Sequence, residues 1–281
     1  MKKIAIVGAT GNVGEIIAKK LKNKADLTLF SSKDALNFKG FDICIFATQD
    51  DVSKQFVPEA LKAGATVIDA SSYYRLEKDV PLIVAPVNGT EVRKKLISSA
   101  NCIASPLSLA LNPIKSFGIE SIHVSTYQSI SGAGRSALEK FEKEKVLNLT
   151  PQISSMMDDG VTQEEYKIIH ETQKILNLEC DMSVIAVRVP VLRGHSMSVS
   201  VKLKQQLTLE QLSDIYRHIK EIQFLGQEYK TPAEIEGSDL LYIGRVRINA
   251  LGVHMWLCSD NLHRGAALDV VEIVDLLLNA K

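Results

Sequence analysis

The chain lacks any apolar run approaching the roughly 18 to 20 residues of a membrane-spanning helix. The nearest candidate, Met182 to Leu192, is interrupted by Arg188 and Pro190. It also lacks an excess of either charge, with 33 basic and 33 acidic residues. That balance removes any general attraction for nucleic acid or a membrane surface but leaves room for local anion sites. No secretory leader is expected, because the apolar stretch behind Lys2 and Lys3 stops at Gly8, too soon for a signal core. The four cysteines, Cys44, Cys102, Cys180 and Cys258, include no closely spaced pair. Neither a metal site nor, in a reducing compartment, a disulfide is expected. There is no internal repeat, low-complexity tract or proline-rich linker. The expectation is a cytoplasmic globular protein of one large or two ordinary domains. Its 281 residues, 46% of them apolar, suffice for a substantial core.

What is present has a rhythm. Lys3 to Val7 is a short apolar run ended by glycine, and a helical pattern follows from Asn12 to Leu21. Leu27 to Phe30, Ile43 to Ala47 and Thr66 to Asp69 read as further strands, with a helix from Asp51 to Ala63. Alternating strands and helices predict an α/β domain with a mostly parallel sheet. After about residue 105 the pattern changes. Ser105 to Lys115 reads as a helix, while Ile119 to Gln128, Ser183 to Arg188 and Ser196 to Leu203 alternate polar and apolar. A second, α+β domain with a mixed sheet is expected. Asn261 to Leu278 reads as an amphipathic helix. The expected division is residues 1–104 for nucleotide, 105–258 for catalysis and dimerisation, and a closing helix in 259–281.

The first strand runs into Gly8-Ala9-Thr10-Gly11-Asn12-Val13-Gly14. Glycines in such a turn let the backbone approach a pyrophosphate, and the following helix presents free N–H groups. The spacing is G-x-x-G-x-x-G rather than the strict G-x-G-x-x-G, so a plain connecting turn is the alternative. Nucleotide choice is read at the end of the second strand, here Phe30-Ser31-Ser32-Lys33. Hydroxyls and a cation suit a 2′-phosphate and favour NADP, although Lys33 also reads as an ordinary solvated lysine and Asp34 stands beside it.

Two further places carry chemistry. Asn101-Cys102 follows a short strand and precedes a helix, a position that favours thiolate and suits a nucleophile. Cys44 and Cys258 lie in apolar runs and read as inert core thiols. Among six histidines, His195 stands out, because Arg188 and His195 bracket a bend stiffened by Pro190. Such a bend can aim a guanidinium and an imidazole into one pocket.

Taken in order, Gly8 to Gly11, Asn101-Cys102, Ser125 to Gln128 with Ser131 to Gly134, Arg188 to His195, and His254 to Leu262 resemble the aspartate-semialdehyde dehydrogenase family over nearly the whole chain. The resemblance implies reversible, NADP-linked and phosphate-dependent conversion of L-aspartate 4-semialdehyde to L-aspartyl 4-phosphate. The family serves lysine, diaminopimelate, threonine and methionine synthesis. By the same resemblance Cys102 is the nucleophile, His195 the acid/base and Gln128 the neighbour of the reacting carbonyl. Arg188 and Glu171 bind substrate, and Arg75, Lys174 and Asn101 bind phosphate. Thr10, Gly11, Asn12, Val13, Ser131, Gly132 and Asn261 match the family's cofactor contacts, and Gly8, Ser31 and Lys33 are expected to join them from the loop and strand-end readings above. A homodimer or homotetramer is implied, with the last helix packed back on the first domain.

Three departures from the family stand out. Ile103 and Ala104 follow the cysteine where hydroxyl residues are usual, Ala186 replaces a frequent cysteine, and the chain is short between Lys33 and Asp42 and between Glu142 and Gln152. The nearest rival is an N-acetylglutamyl-phosphate reductase, whose acetylated amine offers no charge for a glutamate to pair with. A non-catalytic relative is the other alternative, although Cys102, Gln128, Arg188 and His195 are all retained.

Overall fold

The computed structural model describes residues 1–279. The chain forms two compact units, the first made of Met1–Asn101 and the segment from Ala266 onward, the second of Cys102–Gly265.

The first unit contains β1 (Lys3–Val7), α1 (Asn12–Leu21), β2 (Asp26–Phe30), β3 (Ile43–Phe46), α2 (Asp50–Lys62), β4 (Thr66–Asp69), β5 (Leu82–Ile83), α3 (Ala85–Asn88) and β6 (Leu96–Ser99). All six strands are parallel, in the order β2-β1-β3-β4-β6-β5. Strands buried on both faces explain the unbroken apolar runs seen in the sequence. Because side chains alternate along a strand, Ile4 and Ile6 enter one core with Ile17 and Leu21 of α1. Ala5, Val7, Cys44 and Phe46 enter another with Val57 and Ala60 of α2. The returning segment supplies α8 (Leu268–Asn279), whose Val270, Ile273 and Val274 complete the first core.

The second unit contains α4 (Ala104–Leu111), β7 (Ile119–Gln128), α5 (Arg135–Glu144), α6 (Gln163–Leu176), β8 (Asp181–Arg188), β9 (His195–Leu203), α7 (Leu209–Arg217), β10 (Ile222–Phe224), β11 (Leu241–Asn249) and β12 (Gly252–Ser259). Its sheet runs β10-β11-β12-β9-β7-β8 and is mixed: the outer pairs β10/β11 and β7/β8 are parallel, the inner pairs antiparallel. Helices α4, α6 and α7 pack on the sheet. Ile122, Val124, Val199, Val201, Met255 and Leu257 are buried, while their alternates His123 and Ser198 are exposed and Tyr127 and Trp256 half-buried.

Two expected helices differ in detail. The one expected over Ser105–Lys115 is α-helical only to Leu111 and tightens into a 3-10 turn over Asn112–Phe117, with Pro113 in its first turn. A proline has no N–H for the α-helical ladder. The one expected from Asn261 starts as a π-helical turn, His263–Ala267, and becomes α-helical only at Leu268. Asp260 causes this. Its carboxylate accepts the Leu262 and His263 amides, and its carbonyl accepts Gly265 N–H. Residues 259–265 stay with the second unit because Ser259 is still paired with His195 and Leu241.

Candidate active site

The register of the mixed sheet explains why distant residues meet. Gln128 ends β7 and Arg188 ends β8, directly opposite each other in a parallel pair. His195 begins β9 and faces Ser259 at the end of β12. All four therefore lie at one edge of the sheet. The bend between Arg188 and His195 is zipped to the loop after β7: Val189 N–H donates to Gln128 O, Ile130 N–H to Val191 O and Ser131 N–H to Leu192 O. This brings Gly132 so close to both side chains that a Cβ there would lie 2.9 Å from Arg188 Nη1 and 3.0 Å from His195 Nε2. Any larger residue would displace one of them.

His195 is fully buried. The Ser129 backbone N–H donates to its Nδ1 at 3.1 Å, and Ser129 Oγ lies at the same distance. Ser129 Oγ, whose own proton goes to Asn261 Oδ1, can instead accept from Nδ1–H, and in that tautomer Nε2 carries the lone pair that a base needs. Nε2 is buried without a protein partner, which leaves it available to a reacting group. Burial pushes the imidazole pKa down to about 3, and the positive charge of Arg188 adds to this against opposing pulls from Glu164 and Asp260. Arg188 donates from Nη1 to Ser129 O at 2.7 Å. Burial lowers its pKa, and the negative charges of Cys102 and Glu164 counter that.

Cys102 is a half-buried thiol, outside any disulfide, just ahead of α4. Gly265, in the π-helical turn, packs against it: a Cβ there would come within 2.8 Å of Cys102 O and 3.0 Å of Cys102 Cβ. π-turns recur at functional sites, and this one brings a bare backbone up to the thiol. Asn261 ties the surrounding loops together. Its Oδ1 accepts from Ser129 Oγ, Ser131 Oγ and Gly194 N–H, while its Nδ2 is buried without a partner.

The acidic partner differs from the expected one. Gln128 Nε2 donates to Glu164 Oε1 at 3.3 Å, and Glu164 Oε2 is paired with Lys167 at 3.2 Å. Glu164 also acts electrostatically on His195 and Arg188. Helix α6 runs back along β8, so its two ends face opposite ends of the sheet. Near its start, Glu165 accepts the Ala186 amide close to the end of β8. Near its end, Gln173 donates to Cys180 O just before β8 begins. Glu171 and Lys174, seven residues beyond Glu164 and Lys167, are thus carried about 10 Å away along the helix axis. Lys174 lines an open hollow with Glu120, Cys180 and Asp181, at the starts of β7 and β8. The structure does not bring Glu171 and Lys174 to Gln128 and His195. It brings Glu164 and Lys167, which sequence reasoning missed, along with Ser129 and Gly265.

The remaining candidates belong to the first unit. Gly8 adopts φ +81°, and its amide and that of Ala9 both donate to Phe30 O, at 3.0 and 3.1 Å. A Cβ on Gly8 would strike Ala47 O, and one on Gly14 would strike Gly8 O, so packing demands both glycines. Gly11 is different. It is exposed, and a Cβ there would meet only Gly8 O at 3.4 Å. As the N-cap of α1 it has no side chain to satisfy the first-turn N–H groups. An open, uncapped helix start with Thr10, Asn12 and Val13 around it fits a dinucleotide pyrophosphate. Arg75 is nearly buried and donates from Nη2 to Ala70 O at 2.8 Å; Asn101, also buried, closes the unit. Ser31 and Lys33 sit in the turn after β2, where Ser31 is bonded to Asp34.

Comparison with known proteins agrees with this arrangement. Residues 17–95 match the model of the semialdehyde dehydrogenase NAD binding domain and residues 111–264 that of the semialdehyde dehydrogenase dimerisation domain. The chain is therefore of the semialdehyde dehydrogenase class. It is 34% identical to the aspartate-semialdehyde dehydrogenase of Rickettsia bellii, over 98% of this chain and 97% of that protein. It is 33% identical to that of Aquifex aeolicus, over 98% of each. The crystal structure of aspartate semialdehyde dehydrogenase II from Vibrio cholerae complexed with ASA superposes with a TM-score of 0.95 at 30% identity, covering 99% of this chain and 98% of that one. The chain belongs to the aspartate-semialdehyde dehydrogenase family. The Rickettsia alignment extends over 328 positions against 281 residues here, so it carries gaps within this chain.

Proposed function

We propose that this chain interconverts L-aspartate 4-semialdehyde and L-aspartyl 4-phosphate with NADP, through a thioester on Cys102. The observation that carries the reading is one end of the mixed sheet holding Arg188, His195, Gln128 and Glu164, with the Cys102 thiol within electrostatic reach of Arg188. Arg188 offers a planar fork for the substrate carboxylate. Glu164 pairs with its ammonium, a role we move from Glu171. An acetylated amine would leave that buried carboxylate without a cationic partner from the substrate, which disfavours the N-acetylated alternative. Lys167 replaces Lys174 as the phosphate-binding lysine, and Arg75 and Asn101 are assigned to phosphate from the resemblance.

In the oxidative direction the Cys102 sulfur bonds to the aldehyde carbon as the thiol proton passes to His195 and on to the new oxyanion. Gln128 Nε2 donates to that oxygen. His195 then takes the hydroxyl proton while hydride leaves the carbon, and the thioester carbonyl forms. Bound nicotinamide supplies the hydride acceptor. A phosphate oxygen attacks the thioester, the C–S bond breaks and the thiolate returns. A substrate carboxylate on Arg188 cancels one of the two effects that keep His195 neutral, so the imidazole becomes more basic when substrate is present.

The first unit is assigned to the dinucleotide, through Gly8, Thr10, Gly11, Asn12, Val13, Ser31 and Lys33. Asn261, Ser131 and Gly132 of the second are further cofactor contacts; the unpartnered Asn261 Nδ2 supports this. The second unit carries the covalent chemistry and, on its less covered sheet face, the contact of a homodimer. We place the reaction in the cytoplasmic synthesis of lysine, diaminopimelate, threonine and methionine.

The test is to mix protein, semialdehyde and NADP without phosphate, stop the reaction and weigh the peptides. One acyl group is expected on the Cys102 peptide, released by added phosphate, and Cys102→Ala should neither acylate nor turn over. Acylation at another residue, or turnover by the alanine variant, would overturn the thioester route.

A further inference from the structure

The turn after β2 carries a second statement about the cofactor. Ser31 N–H and Ser31 Oγ both donate to one carboxylate oxygen of Asp34, at 2.6 and 2.7 Å. Asp34 N–H donates back to Ser31 O at 3.3 Å, and Lys33 N–H donates to Ser31 Oγ at 3.3 Å. These bonds hold the Asp34 carboxyl below the usual carboxylate range, so it is charged at neutral pH. The turn is anchored at both sides. Before it, Phe30 O receives the Gly8 and Ala9 amides of the nucleotide loop. After it, Phe38 is buried against Phe46 in the core under the sheet. The short connection to β3 adds no α-helix or strand of its own.

An amide and a hydroxyl at the end of β2 are the donors that a 2′-phosphate would use. Here a carboxylate oxygen already occupies both. A carboxylate at this place, twenty residues beyond Gly14, also accepts from a ribose 2′-hydroxyl. We propose that Asp34 reads the 2′ position of the adenosine ribose and that the chain accepts NAD alongside NADP. The inference rests on the nucleotide-binding reading of the first unit. Asp34 competes with the 2′-phosphate for the Ser31 donors and repels it, while Lys33 attracts it. Because Asp34 is exposed, solvent and salt screen the repulsion. It therefore shifts the preference without excluding either dinucleotide.

The experiment is calorimetric titration of the full chain, without substrate, with NAD, NADP, 5′-AMP and adenosine 2′,5′-bisphosphate. Dissociation constants for NAD and NADP are expected to lie within about tenfold of each other. Asp34→Ala should tighten adenosine 2′,5′-bisphosphate by about tenfold at low salt and leave 5′-AMP equal or weaker, with the gain shrinking as salt rises. Wild-type binding of NADP more than about a hundredfold tighter than NAD, or an Asp34→Ala variant with unchanged preference, would overturn the assignment. Binding of neither dinucleotide would overturn the nucleotide site itself, and Asp34's role with it.

Discussion

His195 shows how one residue's surroundings set its chemistry. A neutral imidazole, fully buried beside a guanidinium, is protonated far more readily in the unfolded chain than in the native one. Its pKa falls from an ordinary 6.5 to about 3 on folding. Between those values the unfolded state binds the extra proton, so this contribution to stability is complete above about pH 6.5 and is lost as pH falls toward 3. The slope is at most about 1.4 kcal/mol per pH unit. Urea midpoints at pH 7.5 and pH 5 should therefore drop more in the wild type than in His195→Asn; equal drops would remove the burial argument. The same variant should lose about 10²- to 10⁴-fold in turnover, the range of a general acid–base group. A preserved rate would assign the proton transfer elsewhere.

At the scale of elements, much of the fold was readable because its signals are local. The glycine turn after β1, the thiol ahead of α4 and the Arg188–His195 bend each lie within a few residues, and the elements begin and end around them close to where they were expected. Helix α6 was harder for a geometric reason. It carries the same spacing twice, Glu164 with Lys167 and Glu171 with Lys174. Seven residues are nearly two full helical turns, so both pairs point to nearly the same side. Periodicity cannot choose between them. The choice is made by which end of α6 meets the ends of β7 and β8, which is tertiary information. Ser129 was invisible for another reason: it acts on His195 partly through its backbone N–H, which every residue but proline has. Lys167→Ala should raise the KM for phosphate by about tenfold or more, while Lys174→Ala stays near wild type. The reverse result would return the role to the distant pair. Glu164→Gln should lower kcat/KM for the semialdehyde by about 10- to 100-fold, the loss of a charged hydrogen bond.

At the scale of the whole molecule, the boundaries were the least legible part. The change of rhythm near residue 105 was visible, but the two crossings fall at Asn101/Cys102 and Gly265/Ala266. Both are set by pairing in the sheets and by Asp260 rather than by any linker composition. The alignment gaps leave both six-stranded sheets in place. Among the described residues no helix is long and apolar enough to cross a membrane.

The second unit is one continuous stretch inserted into the first, whose core needs Val270, Ile273 and Val274 of α8. A ribosome thus makes the nucleotide-binding half first yet cannot let it finish first. The inserted unit can complete itself on the nascent chain while the earlier half waits, with Ile4 and Ile6 uncovered on one side, until residues 266–279 arrive. That reverses the usual N-terminal-first order of synthesis-coupled folding. A chain stopped after Gly265 should expose apolar surface and aggregate on release, whereas residues 102–265 made alone should give a cooperative melt. Soluble, nucleotide-competent protein from the stopped chain would contradict this order of assembly.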